Sequence, residues 1–264
     1  MNTKILIMFF VGLALLSSFS ATANSSAAKS NSKFSGEELK TFAKRIEKTL
    51  AKKGARVFLI GRIGRPADEL PEGIRYTHTA LGVYSMIDVG EGRTVPGYAI
   101  YNLYQKAEQP NVSELVTDFP VDFFSSAEQL EAGIVIPTPE IQERLLKVIG
   151  SKTYQQLHVP QYSAIANPYT LTYQNCTEHT LDVINAAIYQ TNDIQQIKAN
   201  TKAYFEPQEV RVSGLKLVLG SLFMPDVTIT DHESKVVTTT FTTIANYLEK
   251  YGLVQERLVL RSEI

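Results

Sequence analysis

The chain has one cysteine, Cys176, no tryptophan and only four histidines among 264 residues. A single cysteine excludes an internal disulfide, a cysteine-rich zinc site and an iron–sulfur cluster. Charge of one sign is not in excess either. Twenty-six basic and 27 acidic residues give a net −1, so the basic footprint of a nucleic-acid binder is missing and no such partner is expected. Past residue 16 no apolar run reaches the roughly 18 residues of a membrane helix. Repeats, heptads and low-complexity segments are absent as well. What is present is 44% hydrophobic and 20% charged residues. That mixture excludes a disordered or fibrous chain, and the length suffices to bury a sizeable core.

The amino terminus reads as an export signal. Lys4 precedes twelve apolar residues, 5–16, followed by Ser17, Ser18 and Ser20 and then Ala21-Thr22-Ala23. A basic start, an apolar stretch and an A-x-A end describe a secretory signal peptide over residues 1–23, cleaved after Ala23. Twelve helical residues at about 1.5 Å each fall short of roughly 30 Å of hydrocarbon, so no membrane anchor is expected after cleavage. The expected product is periplasmic. Residues 24–33 are polar and small and read as a flexible lead-in. Residues 34–264 then form one domain.

Within that domain, Ser35-Gly36-Glu37-Glu38 is a capping box, followed by Leu39, Phe42, Ile46 and Leu50 on one helical face. Residues 57–60 read as a buried strand, and 61–73, with two prolines and three glycines, as loop. Residues 76–84 and 98–104 are β-branched and aromatic runs around the turn material of 89–93, and 134–136 is a further short strand. Thr138-Pro139 opens a helix carrying Ile141, Leu145, Val148 and Ile149. Residues 154–168 read as polar and aromatic loop. A helix is expected from Asn175, and shorter ones over 194–201, 215–223 and 244–251. Helices, then strands, then helices predict an α+β domain.

The chemistry centres on Cys176 in Tyr173-Gln174-Asn175-Cys176-Thr177-Glu178-His179. Asn175 is a natural N-cap, which sets Cys176 in the first helical turn, where unpaired amides and the helix dipole favour a thiolate. A lone cysteine is ordinarily a small buried hydrophobe. Against that, an oxidising compartment makes a purposeless thiol a liability, and the residue precedes the apolar stripe beginning at Leu181. A thiolate nucleophile needs a base. His78 lies in a strand with Ala80 and Gly82 on its face, small enough to admit a helix end or a substrate. His179 follows Cys176 by three. Spacing prefers neither. His158 reads as surface. His232, in Thr230-Asp231-His232-Glu233, lies in a polar loop whose ligand types more often stay solvated, so no metal and no cofactor is expected.

The Asn175-Cys176 pair at a helix start, with a strand histidine about a hundred residues earlier and glycine four later, resembles the circularly permuted NlpC-type papain-like enzymes, which include lecithin retinol acyltransferase-like proteins. Longer stretches resemble a bacterial exported family, domain-of-unknown-function family 2145: residues 69–78, 97–105, 118–124, 174–178 and 204–207. The resemblance implies a papain-like fold with a small antiparallel sheet packed against helices, Cys176 as nucleophile and His78 as its base. The oxyanion would meet the Cys176 main-chain N–H and a nearby donor, with Gln174 or Tyr173 as candidates. Acyltransferase members carry Asn-Cys-Glu-His, whereas Thr177 stands here before Glu178 and His179, which argues against a lipid acyl substrate.

Strand arithmetic supplies an orienting residue. In an antiparallel hairpin, paired residue numbers share one sum, and half of it marks the turn. His78 with Asn102 centres on Gly90, and His78 with Tyr104 centres on Glu91. Both side chains share the face of His78. Asn102 is preferred, because its amide oxygen can fix the ring's tautomer. The sequence therefore predicts an exported thiol hydrolase or acyl-transfer enzyme acting on an amide, thioester or ester, with cell-wall peptide as the substrate class. The alternative is a non-catalytic periplasmic binding domain retaining the papain-like fold.

Overall fold

The computed structural model describes residues 32–211 and 226–262. The signal peptide, most of the lead-in and the helix expected over 215–223 lie outside the described residues. The chain runs α1 (Gly36–Lys52), β1 (Val57–Ile63), a 3-10 turn (Ala67–Glu69), β2 (His78–Asp88), β3 (Thr94–Gln105), β4 (Ser113–Asp118) and α2 (Pro120–Phe123). It continues through β5 (Gln129–Pro137), α3 (Pro139–Ile149), α4 (Lys152–Gln156), α5 (Cys176–Tyr189) and α6 (Ile194–Tyr204). The short strands β6 (Gln208–Glu209) and β7 (Val237–Thr238), then α7 (Phe241–Lys250) and β8 (Val254–Arg261), complete it. The fold is mixed α+β.

Six strands form one antiparallel sheet in the order β4-β3-β2-β1-β5-β8, larger than the small sheet expected. Because strand side chains alternate, each strand feeds two cores. Phe58, Ile60, Ala80, Tyr98 and Ile100 pack beneath α1 and α2, against Leu39, Phe42, Ile46, Leu50, Phe123 and Phe124. Val57, Leu59, Leu81 and Val83 pack on the other side beneath α3, α5, α6 and α7. Every residue of β1 is buried, as a strand covered on both faces requires. Gly82 serves this packing and not a substrate. An added Cβ would lie 2.0 Å from the Phe58 ring, so glycine is there to admit Phe58.

The local signals behave as their chemistry dictates. Ser35 and Glu38 close the capping box of α1, with the Ser35 amide donating to Glu38 at 2.7 Å. Pro139 occupies the first turn of α3, although Thr138 makes no side-chain cap bond. Three expectations are corrected. The loop expected from residue 61 begins only after Ile63, because Gly61 and Arg62 pair with both β2 and β5, and Ile63 with β5. The loop expected from residue 154 is helical through Gln156, the end of α4, whose N-cap Ser151 accepts from the Thr153 amide. The strands β4 and β8 and the one-turn α2 extend the architecture beyond the sequence-based reading.

One feature of the sheet positions the site. The β2–β3 ladder runs from Asp88↔Thr94 to Leu81↔Tyr101 and stops there. Beyond it, β2 stays with β1 as far as Arg62↔His78, while β3 stays with β4 as far as Gln105↔Ser113. Strands β2 and β3 therefore part at the start of β2. The amino terminus of α5 packs at that opening, with Cys176 against Leu103 and Tyr162.

Candidate functional site

Asn175 caps α5 as expected, its Oδ1 accepting from the Glu178 amide at 2.9 Å. The cap is pinned in turn. Asn175 Nδ2 donates to the Ala164 carbonyl at 3.1 Å, and Thr177 Oγ1 donates to the Thr239 carbonyl at 2.8 Å. These segments wall a cavity of about 400 Å³ lined by Cys176, Tyr76, Tyr162, Leu70, Ile74 and Asp226, among others. Cys176 is buried on its protein side and faces this cavity. The Thr79 main-chain N–H and the Thr177 and Cys176 amides lie near its sulfur and favour the thiolate.

A helix start alone predicts a lowered thiol pKa, and the structure corrects that. Burial pushes the Cys176 thiol up, and the Thr79 N–H, Arg62 and the first-turn amides offset only part of the effect. The resting group is a thiol.

His78 is fully buried, and its environment is well defined. The register adopted, Leu81↔Tyr101, is the second of the two expected. Carried past the last paired residues, it sets Tyr104 level with His78 and Asn102 level with Ala80. The Tyr104 ring accordingly stacks on the imidazole, 4.9 Å between centroids and 7° between planes. Asn102 reaches diagonally across one pleat, its Oδ1 lying 3.1 Å from His78 Nε2. Direct pairing of His78 with Asn102 is thus corrected, while their hydrogen bond is present.

Asn102 Nδ2 donates to the Ile100 carbonyl at 3.1 Å and to Asp118 Oδ1 at 2.7 Å. A carbonyl and a carboxylate both accept, so the amide has one orientation, with its oxygen toward the ring. His78 Nε2 then carries the proton and Nδ1 the lone pair. Nδ1 has no hydrogen-bond partner among the described residues. Burial, and then the charge of Arg62, hold His78 well below the ordinary histidine range, outweighing the Asn102 bond. The imidazole is neutral.

Strand alternation assigns the two groups to opposite faces of β2. His78 shares the α1–α2 face with Arg62, Asn102, Tyr104 and Phe123. Cys176 packs on Leu103 on the α5 face. The parted strands lie between them, and Thr79, whose amide favours the Cys176 thiolate, adjoins His78 in the chain.

The other expected donors are committed elsewhere. Gln174 is fully buried, its Nε2 donating to the Leu157 carbonyl at 3.0 Å and to Asp182 at 2.9 Å, so no amide hydrogen remains for an oxyanion. Tyr173 pairs its hydroxyl with Thr230 at 3.2 Å, away from the cavity lining. Tyr104 donates to Asp118 at 2.8 Å. His179 turns into the protein, Nε2 3.3 Å from the Tyr154 carbonyl, and burial pushes its pKa down to about 3. His158, expected at the surface, is half-buried, with Nε2 2.9 Å from Ser113 Oγ. His232 Nε2 lies 3.0 Å from the Ile165 carbonyl. Among the described residues no group of three His, Cys, Asp or Glu side chains is arranged to hold a metal.

Three contributors went unread in the sequence. Arg62 is buried opposite His78, bonded to the Phe123 carbonyl. Asp118 ends β4. The Thr79 amide is a main-chain group with no signature of its own. Only Asp118 had a cue, as the first residue of the 118–124 stretch that carries the family resemblance. No curated protein and no solved structure matches the chain. Residues 49–248 match the family described as "Uncharacterized protein conserved in bacteria (DUF2145)", and the chain belongs to that family.

Proposed function

We propose that the chain is an exported thiol hydrolase or acyl-transfer enzyme of the circularly permuted, NlpC-type papain-like kind, with Cys176 as nucleophile and His78 as its base. The observation that carries this reading is the His78 Nε2–Asn102 Oδ1 bond, which leaves the Nδ1 lone pair without a hydrogen-bond partner among the described residues. In this reading the sulfur and Nδ1 meet through the gap between β2 and β3.

Because both groups rest neutral, the proton moves only as bond formation begins. His78 Nδ1 takes the Cys176 proton while the sulfur attacks the substrate carbonyl carbon. The carbonyl electron pair moves to oxygen, which main-chain amides at the α5 start stabilise. The intermediate collapses to a Cys176 thioester as the leaving amine, alcohol or thiol departs with the proton from His78. Water, or a second nucleophile, then releases the acyl group by the reverse sequence. Cell-wall peptide is the substrate class that an exported amide-cleaving enzyme would meet.

A second reading, a binding domain that keeps the fold, is favoured by one observation: thiol and imidazole are both neutral and lie on opposite faces of β2. Intact-mass measurement decides between them. The protein is mixed with small activated esters and thioesters and with cell-wall peptide fragments. The enzyme reading expects an acyl adduct on Cys176 that is lost in Cys176→Ala and strongly reduced in His78→Ala. No adduct from any of these, with peptide still bound by Cys176→Ala, would give the function to the binding domain.

A further inference from the structure

Two of the groups that touch the His78 ring share a partner. Asn102 holds its edge through Nε2, and Tyr104 covers its face. Asn102 Nδ2 donates to Asp118 Oδ1 at 2.7 Å, and Tyr104 Oη donates to Asp118 Oδ2 at 2.8 Å. These two contacts of the imidazole thus end on one carboxylate. That carboxylate is held level with Ile100 by the β3–β4 register, at the end of a strand that otherwise contributes little to the core.

We propose that Asp118 is a positioning residue for His78: by accepting from Asn102 and Tyr104 at once, its carboxylate fixes both the tilt and the tautomer of the ring and keeps Nδ1 as the basic nitrogen. This inference rests on Cys176 and His78 being the reacting pair only for its catalytic meaning, since the geometry of the ring can be tested without turnover.

The ionised form of Asp118 is the one that accepts twice. Once protonated, one oxygen must itself donate: a proton on Oδ1 breaks the Asn102 bond, because an amide NH2 cannot accept, and a proton on Oδ2 reverses the Tyr104 bond, whose hydroxyl must turn to accept. One of the two contacts is then broken or remade. The groups facing Asp118 are Asn102 and Tyr104 on β3, Arg62 on β1 and Asp122 on α2, with His78 beyond Asn102. Burial is the largest influence and pushes the Asp118 carboxyl up to about 7; Asp122 adds to this, and the Tyr104 and Asn102 bonds and Arg62 oppose it. The folded state therefore binds this proton more tightly than the unfolded chain does. Its contribution to stability falls as pH rises from the ordinary carboxyl range, about 4, toward about 7. Asp118→Asn removes that burial cost. A purely structural carboxylate would lose stability on substitution. A positioning carboxylate held at such a cost would leave stability unchanged or raised near pH 8 while the ring loosens.

The test is the imidazole nitrogen spectrum of the histidine-labelled protein, with His78 assigned by the signals lost in His78→Ala. At about pH 8 the wild type should show one tautomer, protonated at Nε2. The two ring-nitrogen shifts should converge as tautomers mix, both in Asp118→Asn at that pH and in the wild type as pH falls toward about 6. In Asp118→Asn the melting temperature at about pH 8 should hold or rise, and Cys176 alkylation should slow about tenfold, as for a residue orienting a reacting group at one remove. An unchanged tautomer in both experiments would overturn the proposal, and if Asp118→Asn does not fold, the wild-type titration decides alone. Convergence of the shifts with Cys176 reactivity indifferent to His78→Ala would uphold the positioning and overturn the catalytic reading.

Discussion

Two buried polar clusters flank the start of α5, and they are built on different rules. Behind the helix, the Lys198 ammonium meets Glu178 Oε1 at 2.6 Å and both Asp182 oxygens at 2.9 and 3.0 Å, and Gln174 ties Asp182 to the Leu157 carbonyl. Burial works against the Lys198 charge, yet Asp182 and Glu178 outweigh it and hold the ammonium charged. The one unmatched atom, Glu178 Oε2, belongs to a carboxylate already paired with that ammonium. At the parted strands the arrangement is the reverse. The His78 ring is neutral, its Nε2 is matched, and the lone pair on Nδ1 has no partner among the described residues. A closed cluster of charges locks α6 to the first turns of α5. A neutral imidazole with one open nitrogen is the group that can accept a proton. The first is architecture and the second is the candidate chemistry.

That contrast is sharpest at Lys198. Lys198→Met should cost about 3–5 kcal/mol in urea unfolding near pH 8, because two buried carboxylates lose their counter-charge. Burial raises the pKa of both Glu178 and Asp182, so they take up protons readily once the ammonium is gone, and the loss should shrink as pH falls. An equal loss at both ends of the pH range would mean that the cluster is held by packing and not by charge. Asn102→Ala tests the open cluster. It should slow Cys176 alkylation about tenfold, less than His78→Ala does, while circular dichroism stays native. A loss of structure instead would make Asn102 a mere core group. His179→Ala should have the smallest effect on reactivity, within about twofold in alkylation rate, because its ring faces Tyr154 and not the cavity. Abolished labelling in His179→Ala would assign the base to the wrong histidine.

Where a signal was local, the sequence was readable. The Ser35–Glu38 box, the Asn175 cap and the turn at Gly90-Glu91-Gly92 depend on neighbours in the chain, and each is present. The two candidate hairpin registers followed from turn arithmetic, and the strand pairs settle on the one centred at Glu91. What went unread was tertiary. The strand β4, Ser113-Glu114-Leu115-Val116-Thr117-Asp118, is an edge strand with two large apolar residues, too few for a period to emerge, so Asp118 was missed with it. Arg62 fell within a stretch read as loop, because the glycines and prolines of residues 61–73 outweighed its apolar neighbour Ile63. Gln174 reads in sequence as a candidate oxyanion donor, since nothing local reveals that Leu157 and Asp182 claim both its amide hydrogens. The thiol was misjudged for the same reason: a helix start is visible in sequence, and the burial that overrides it is not.

The central claim is that Cys176 and His78 act as one pair from a neutral resting state, and the alkylation rate of Cys176 against pH tests it most directly. A lone buried thiol reacts only through its thiolate, so its rate should rise tenfold per pH unit up to a midpoint above the ordinary thiol value. A thiol sharing its proton with a neutral imidazole keeps a small, constant fraction of thiolate–imidazolium between the two pKa values. The wild type should therefore show a flat stretch of residual reactivity below the thiol midpoint, and His78→Ala should lose it and follow the tenfold slope. Superimposable profiles, both without the flat stretch, would contradict the pairing.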